Sequence, residues 1–151
     1  MNRFVIADSK RCIGCRTCEV ACVLAHGDGN TASLSATQFA PRLTVVKSLD
    51  VSTTVQCRHC EDAPCANVCP NGAMTVISKP VVRISHHQLM GSGMKAEAHK
   101  CDLCQERAAG PACVQVCPTK ALHLVNRDDI DTMIQQKQRR AALDDAAGIQ
   151  F

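Results

Sequence analysis

The stretch CIGCRTCEVAC, residues 12–22, sets four cysteines, Cys12, Cys15, Cys18 and Cys22, within two short turns of chain. Two further stretches repeat the plan. CRHCEDAPCANVCP, residues 57–70, carries Cys57, Cys60, Cys65 and Cys69. CDLCQERAAGPACVQVCP, residues 101–118, carries Cys101, Cys104, Cys113 and Cys117. The chain has 12 cysteines in 151 residues, and none lies outside these groups. Each group opens on two cysteines with two residues between them and closes on a cysteine four positions after the third. Proline follows Cys69 and Cys117.

This spacing suits a cubane iron–sulfur cluster, whose iron corners each take one thiolate. Cysteines at every third residue wrap three corners. The fourth is expected at the start of a helix, turned away from its own loop, as in two-cluster ferredoxins where it ligates the other cluster. The proline after it cannot continue a helix and redirects the chain. Zinc also takes four thiolates, but its sites usually pair two CxxC units across a longer gap. Disulfides suit small secreted chains, whereas MNRFVIADSKRC, residues 1–12, has neither an apolar signal core nor a cleavage pattern.

Composition agrees. The chain has three Phe, no Trp and no Tyr, so side chains alone make a thin core, and folding is expected to depend on bound clusters. A net charge of +3 without a basic stripe does not suit nucleic acid. No apolar run approaches the roughly 20 residues of a membrane span, so direct membrane insertion is not expected. A thiol-rich chain of this kind reads as cytoplasmic.

Hydrophobic patterning predicts a strand over 3–8, with Phe4 and Ile6 on one face and Val5 on the other, and a helix over 17–26. A polar loop is expected over 27–37, a strand over 42–47, a short helix over 63–68, and two strands in 74–85 broken at Lys79-Pro80. Then come a loop over 86–100, a helix over 111–116, a strand over 121–125 and a polar helix over 128–147 with Asp128 as its cap. The last helix has a thin apolar face (Ile130, Met133, Ile134, Ala141), which makes it peripheral or partner-bound. CANVCPNGAM, residues 65–74, matches CVQVCPTKAL, residues 113–122, and a helix–turn–strand unit used twice implies a pseudo-symmetric scaffold. The expected fold is therefore α+β, ferredoxin-like, with short strands and helices around the clusters. An iron–sulfur domain is expected over 1–126, its outer lobe formed by 1–30 and 95–126 around a middle insert of 50–85. A helical tail covers 127–151.

Other side chains give weaker signals. His59 is too cramped between Cys57 and Cys60 to ligate, and it and His86-His87 read as solvated or hydrogen-bonded surface histidines. Lys10, Arg11 and Arg16 flank the first loop as solvated charges that also suit cluster tuning or partner orientation. No nucleophile–base pair or glycine-rich phosphate loop is evident, so no catalytic residue is assigned.

MNRFVIADSKRCIGCRTCEVAC, CRHCEDAPCANVCPNGA and KCDLC…GPAC…CPTKAL together resemble the ferredoxin-like electron-transfer subunits of formate hydrogenlyase and related formate dehydrogenases. The likeness runs over most of residues 1–125 and takes in Glu61, Asp62 and Lys100. It implies a small cytoplasmic electron carrier, not an enzyme by itself, that binds several 4Fe–4S clusters and serves a formate dehydrogenase, a hydrogenase or both. The rival reading is an accessory or maturation factor for formate dehydrogenase whose clusters are structural. A zinc-only interaction module comes third.

The family pattern has four cysteine groups and this chain has three, with no cysteine between Cys69 and Cys101. In the family the outer groups exchange their fourth cysteines, and so do the inner ones. The resemblance thus implies one cluster on Cys12, Cys15, Cys18 and Cys117, and a second on Cys101, Cys104, Cys113 and Cys22. A third falls to Cys57, Cys60 and Cys65, with its fourth ligand in question. Three outcomes are open: Cys69 bends back, the cluster stays incomplete and labile, or two chains pair as a homodimer and exchange Cys69.

Overall fold

The computed structural model describes residues 3–37, 39–70, 72–78, 81–84 and 99–148. Three antiparallel strand pairs and four helices make up the described chain. The first strand, β1 (Phe4–Ala7), pairs with the last, β6 (Leu122–Val125), in the register Phe4↔Val125 to Ala7↔Leu122. Val5 is buried, while Phe4 and Ile6 are half-buried, as the alternation requires. This closure of the two ends matters most for the site. It sets the first cysteine group, which follows β1, beside the third, which precedes β6.

Helix α1 (Thr17–Ala25) and the short α3 (Ala112–Val116) pack against each other beneath that ribbon. The core joins Val5, Leu43, Val45, Leu103, Ala121 and Leu122 to four cysteines, Cys18, Cys22, Cys113 and Cys117. Nothing aromatic belongs to it, so thiols fill space that Phe or Trp fills elsewhere. The polar loop after α1 contains one 3-10 turn, Thr31–Ser33, capped by the Asn30 side chain.

The strand expected over 42–47 is β2 (Leu43–Ser48), and it turns through Leu49 and Asp50 into β3 (Val51–Gln56), a strand the patterning did not suggest. The reason is local. In VSTTVQ the valines Val51 and Val55 are exposed and Thr54 is buried, the reverse of the usual apolar-in alternation. The hairpin is seated on the rest of the fold by Leu43 and Val45 in the core and by polar bonds. Val45 N–H donates to Glu19 Oε1 at 2.7 Å, and the Gln56 amide donates to the Val5 carbonyl.

Helix α2 (Pro64–Asn67) follows the second cysteine group, and β4 (Met74–Ser78) pairs with β5 (Val81–Ile84). The break at Lys79-Pro80, His86-His87 and nearly all of the loop expected over 86–100 lie outside the described residues. Helix α4 (Arg127–Gly148) replaces the expected 128–147. Its cap is Asn126 and not Asp128: Asn126 C=O accepts from Ile130 N–H, and Asp129 Oδ2 accepts from Asn126 N–H at 2.9 Å. That is the back-reaching half of a capping box, which needs the acidic residue at the third helical position. Met133, Ile134 and Leu143 are exposed. Among the described residues no helix is long and apolar enough to cross a membrane.

Candidate metal centre

The three CxxC turns share one backbone device. The residue just before the second cysteine has positive φ each time: Gly14 at 66°, His59 at 49° and Leu103 at 57°. An L-residue in this region costs about 1 kcal/mol or more, so His59 and Leu103 hold strain that the loop must need. Left-handed residues inside a tight turn swing successive N–H groups to one side, forming a concavity for anionic groups of the kind found at Fe–S sites. The repeat continues after the fourth cysteine. Gly72 (64°) and Lys120 (53°) occupy matching turn positions, and Ala73 and Ala121, each 1% exposed, match next. Strands β4 and β6 begin one residue later in both copies. The repeat read in the sequence is thus a repeat of backbone conformation.

The fourth cysteine does not sit at a helix start. Cys18 and Cys113 lie in the first turns of α1 and α3, Cys22 lies one turn further along α1, and Cys117 is the C-cap of α3. Four residues are about one turn of α-helix, so the third and fourth cysteines share a helix face at different heights. This alone lets them serve different sites.

Cys12, Cys15 and Cys18 line one cavity together with Cys117, walled by Val45, Thr54 and Leu122. Cys15 Sγ accepts from the Thr17 hydroxyl at 3.2 Å, and Cys117 Sγ accepts from Ala121 N–H at 3.3 Å. The Thr17 bonds pull the Cys15 thiol below its ordinary pKa. At Cys117 burial pushes upward, but the Ala121 N–H and Thr119 hydroxyl outweigh it and leave the pKa lowered. Burial raises Cys18 to about 11.

A second gathering forms from Cys22, Cys101, Cys104 and Cys113. Burial raises Cys113 to about 12, and the neighbouring charges of Cys101, Cys22 and Cys104 add to it. Burial likewise raises Cys101 to about 11, with Cys22 and Cys57 contributing. Thiolates crowded this closely repel one another unless something cationic lies among them. Both gatherings pair soft, charge-crowded donors with N–H or hydroxyl groups aimed at sulfur, and an iron–sulfur cluster fits that donor set. Among the described residues no disulfide joins the cysteines.

The middle group differs. Cys57, Cys65 and Cys69 are half-buried and Cys60 is exposed. None of the four belongs to the core that holds Cys18, Cys22, Cys113 and Cys117. The proximity of Cys57 to Cys101 is its electrostatic link to the second gathering. His59 N–H donates to Cys57 Sγ at 3.4 Å. The His59 ring is not the surface group expected: the residue is 1% exposed, and among the described residues neither ring nitrogen has a hydrogen-bond partner. Burial and the Lys100 charge push its pKa down to about 4, so the ring is neutral.

Three side chains beside the candidate site escaped sequence reasoning. His26, Arg42 and Asp102 meet beside the second gathering, with Asp102 Oδ1 2.9 Å from His26 Nε2 and Asp102 Oδ2 3.2 Å from Arg42. The hydrogen bond to Asp102, then that to Cys22, raises His26 to about 10 against burial. Burial pushes Asp102 upward, but His26, the Cys104 N–H and Arg42 hold its carboxyl well below the usual range. These residues lie far apart in the chain and carry no motif, so only the fold brings them together. Of the charges flanking the first loop, Arg16 pairs with buried Glu19 and Arg11 with Asp8, both at 3.6 Å.

No protein-family profile matches the chain. Among curated proteins, the electron transport protein HydN of Escherichia coli K12 is 46% identical over 173 positions, covering 95% of this chain and 99% of HydN. Those 173 positions exceed the 151 residues here, so at least 22 positions of HydN have no counterpart. Formate hydrogenlyase subunit 2 of the same organism is 37% identical, covering 91% of this chain and 89% of that protein. Among solved structures, a chain of the active site complex BamBC of benzoyl coenzyme A reductase is 19% identical at a TM-score of 0.49, covering 97% of this chain and 98% of that one. Near-complete mutual coverage of HydN, on top of the cysteine spacing, means that the chain belongs to the family of HydN-type electron transport proteins.

Proposed function

We propose that this protein is a one-electron carrier between a formate-oxidising enzyme and a hydrogenase or another redox acceptor, and that it catalyses no reaction itself. Cys12, Cys15, Cys18 and Cys117 hold one 4Fe–4S cluster, and Cys101, Cys104, Cys113 and Cys22 hold another. Each cluster, when bound, supplies a reversible one-electron store. The protein's part is to bind, tune and shield. Sulfur-directed donors from Thr17, Ala121 and Arg42 withdraw charge from the thiolates of Cys15, Cys117 and Cys22, which favours the reduced state. The Leu43, Val45 and Leu122 side chains keep water from the buried thiols.

The observation that carries this reading is the entry of Cys117 into the Cys12–Cys18 cavity, with Cys22 reciprocally among Cys101, Cys104 and Cys113. Names of relatives that concern electron transport and formate hydrogenlyase support the choice of partners. Cys57, Cys60, Cys65 and Cys69 form a third, incomplete site, because the group that would exchange with it has been lost. The positions of HydN without a counterpart suit the loss of about one ferredoxin repeat. Residues 1–126 act as the iron–sulfur unit, 127–151 as an appended tail, and a cytoplasmic setting keeps the thiols reduced.

Protein made anaerobically is expected to contain about 8 to 12 irons per chain with matching acid-labile sulfide, at about four per cubane. It should exchange electrons reversibly with a formate dehydrogenase. Stoichiometric zinc without sulfide would overturn the reading. A cluster-loaded protein that is redox-silent yet promotes its partner's assembly would move the function to maturation.

A further inference from the structure

Asp102 stands between Cys101 and Cys104, the first two cysteines of the third group, and bonds to the end of α1 and to the start of β2. Its Oδ1 accepts from Cys104 N–H at 3.0 Å and lies 2.9 Å from His26 Nε2. Its Oδ2 lies 3.2 Å from the Arg42 guanidinium. Both partners lead on to Cys22. His26 Nδ1 is 2.8 Å from the Cys22 carbonyl and 3.7 Å from Cys22 Sγ. Arg42 N–H donates to Cys22 Sγ at 3.3 Å, and the Arg42 guanidinium donates again to the Lys100 carbonyl at 3.0 Å. His26 is 76 residues from Asp102 in sequence, and Arg42 is 58 from Lys100.

We infer that Asp102 is a positioning residue that recruits Cys22 to the cysteine group of Cys101, Cys104 and Cys113 and holds the Arg42 N–H on the Cys22 sulfur. The inference rests on the exchanged ligand sets proposed above. Its physical basis is the number of constraints on one carboxylate. A ligand brought from another part of the chain needs its helix fixed in rotation and height, and the His26 bond fixes the end of α1. The Arg42 fork fixes the start of β2, so a backbone donor that would otherwise follow loop motion stays on sulfur. Carboxylates orienting ligands in this way are common around metal sites, where their loss costs about 10–100-fold in metal affinity. The first site differs: its fourth cysteine, Cys117, receives its N–H from Ala121 within the same turn.

The test compares the anaerobically prepared full chain with Asp102→Glu. Glutamate keeps the charge but carries it one methylene further from the backbone, so it cannot meet the same three partners in this geometry. Iron and sulfide are counted, and each cluster's reduction potential is followed by electron paramagnetic resonance. Cys22→Ser marks which signal belongs to the second site. The expected result is a lower potential at that site alone, as the N–H···S bond loosens, with about 10-fold faster loss of its iron to a chelator. The first site's signal should stay as in the unmodified protein and so reports that the variant has folded. If Asp102→Glu does not fold, His26→Gln and Arg42→Lys each break one arm and should shift the same signal. Unchanged potentials in these variants, or equal shifts at both sites, overturn the inference and leave the electron-carrier reading intact. Absence of iron and sulfide from the unmodified chain overturns both.

Discussion

At the scale of single residues, the cysteine loops show why spacing and backbone must agree. In each of the three CxxC turns the residue before the second cysteine is left-handed, Gly14, His59 and Leu103 in turn, which keeps these turns from continuing as helix. Gly14 is the most constrained. A Cβ there would lie 2.3 Å from Lys47 Cε and 2.8 Å from Ser52 Oγ, besides taking up positive φ. The lysine tip can swing away, but Ser52 sits on the hairpin that covers the loop. Gly14→Ala is therefore expected to destabilise the protein by more than about 1 kcal/mol. Thermal unfolding under anaerobic conditions measures this, together with iron retained at the first site. Unchanged stability would show that the hairpin does not press on the loop. The histidines teach a complementary lesson. His59 is buried and not the surface histidine expected, and His26 is engaged with Asp102 across the fold; an isolated histidine in sequence offers no sign of either state.

Among the elements, short helices and strands were readable where cysteines or apolar runs framed them. Helices α1 and α3 follow from the third and fourth cysteines one turn apart, and β6 from the repeat unit. Strand β3 was not readable, because its valines face outward and its buried contact is Thr54. Helix α4 is the opposite case: easily read, yet barely attached. With Met133 45%, Ile134 47% and Leu143 71% exposed, its apolar residues contribute little to folding of the chain alone. Replacing all three with glutamine should leave thermal stability within about 0.5 kcal/mol and iron content unchanged, as for substitutions away from packed contacts. A loss of iron would show that this helix helps to close the cluster-binding core.

For the whole molecule, the pairing of β1 with β6 divides the cysteines into two classes. The outer groups each place two cysteines in one core, and the middle group places none there. On the proposed ligand sets, a site short of its exchange partner and with no cysteine in the core should lose metal first. A mild chelator or limited air is expected to remove about four irons ahead of the rest, leaving the outer pair spectroscopically intact. Simultaneous decay of all clusters, or survival of the middle one in a monomer, would show that Cys69 completes that site after all. Survival only in a dimer would instead favour exchange of Cys69 between two chains.

The sequence by itself determined the class of ligand, its grouping and the repeat, because cysteine spacing acts through local geometry: three residues span a loop corner and four span a helical turn. Tertiary structure alone decided which groups meet. Cys117 enters the first loop's cavity, Cys22 lies among the third group, and Asp102 gathers His26 and Arg42 beside it. These meetings depend on the closure of β1 on β6 and on the packing of α1 against α3. Such contacts link residues many tens of positions apart, and their energy comes from burial and charge pairing that no local pattern encodes.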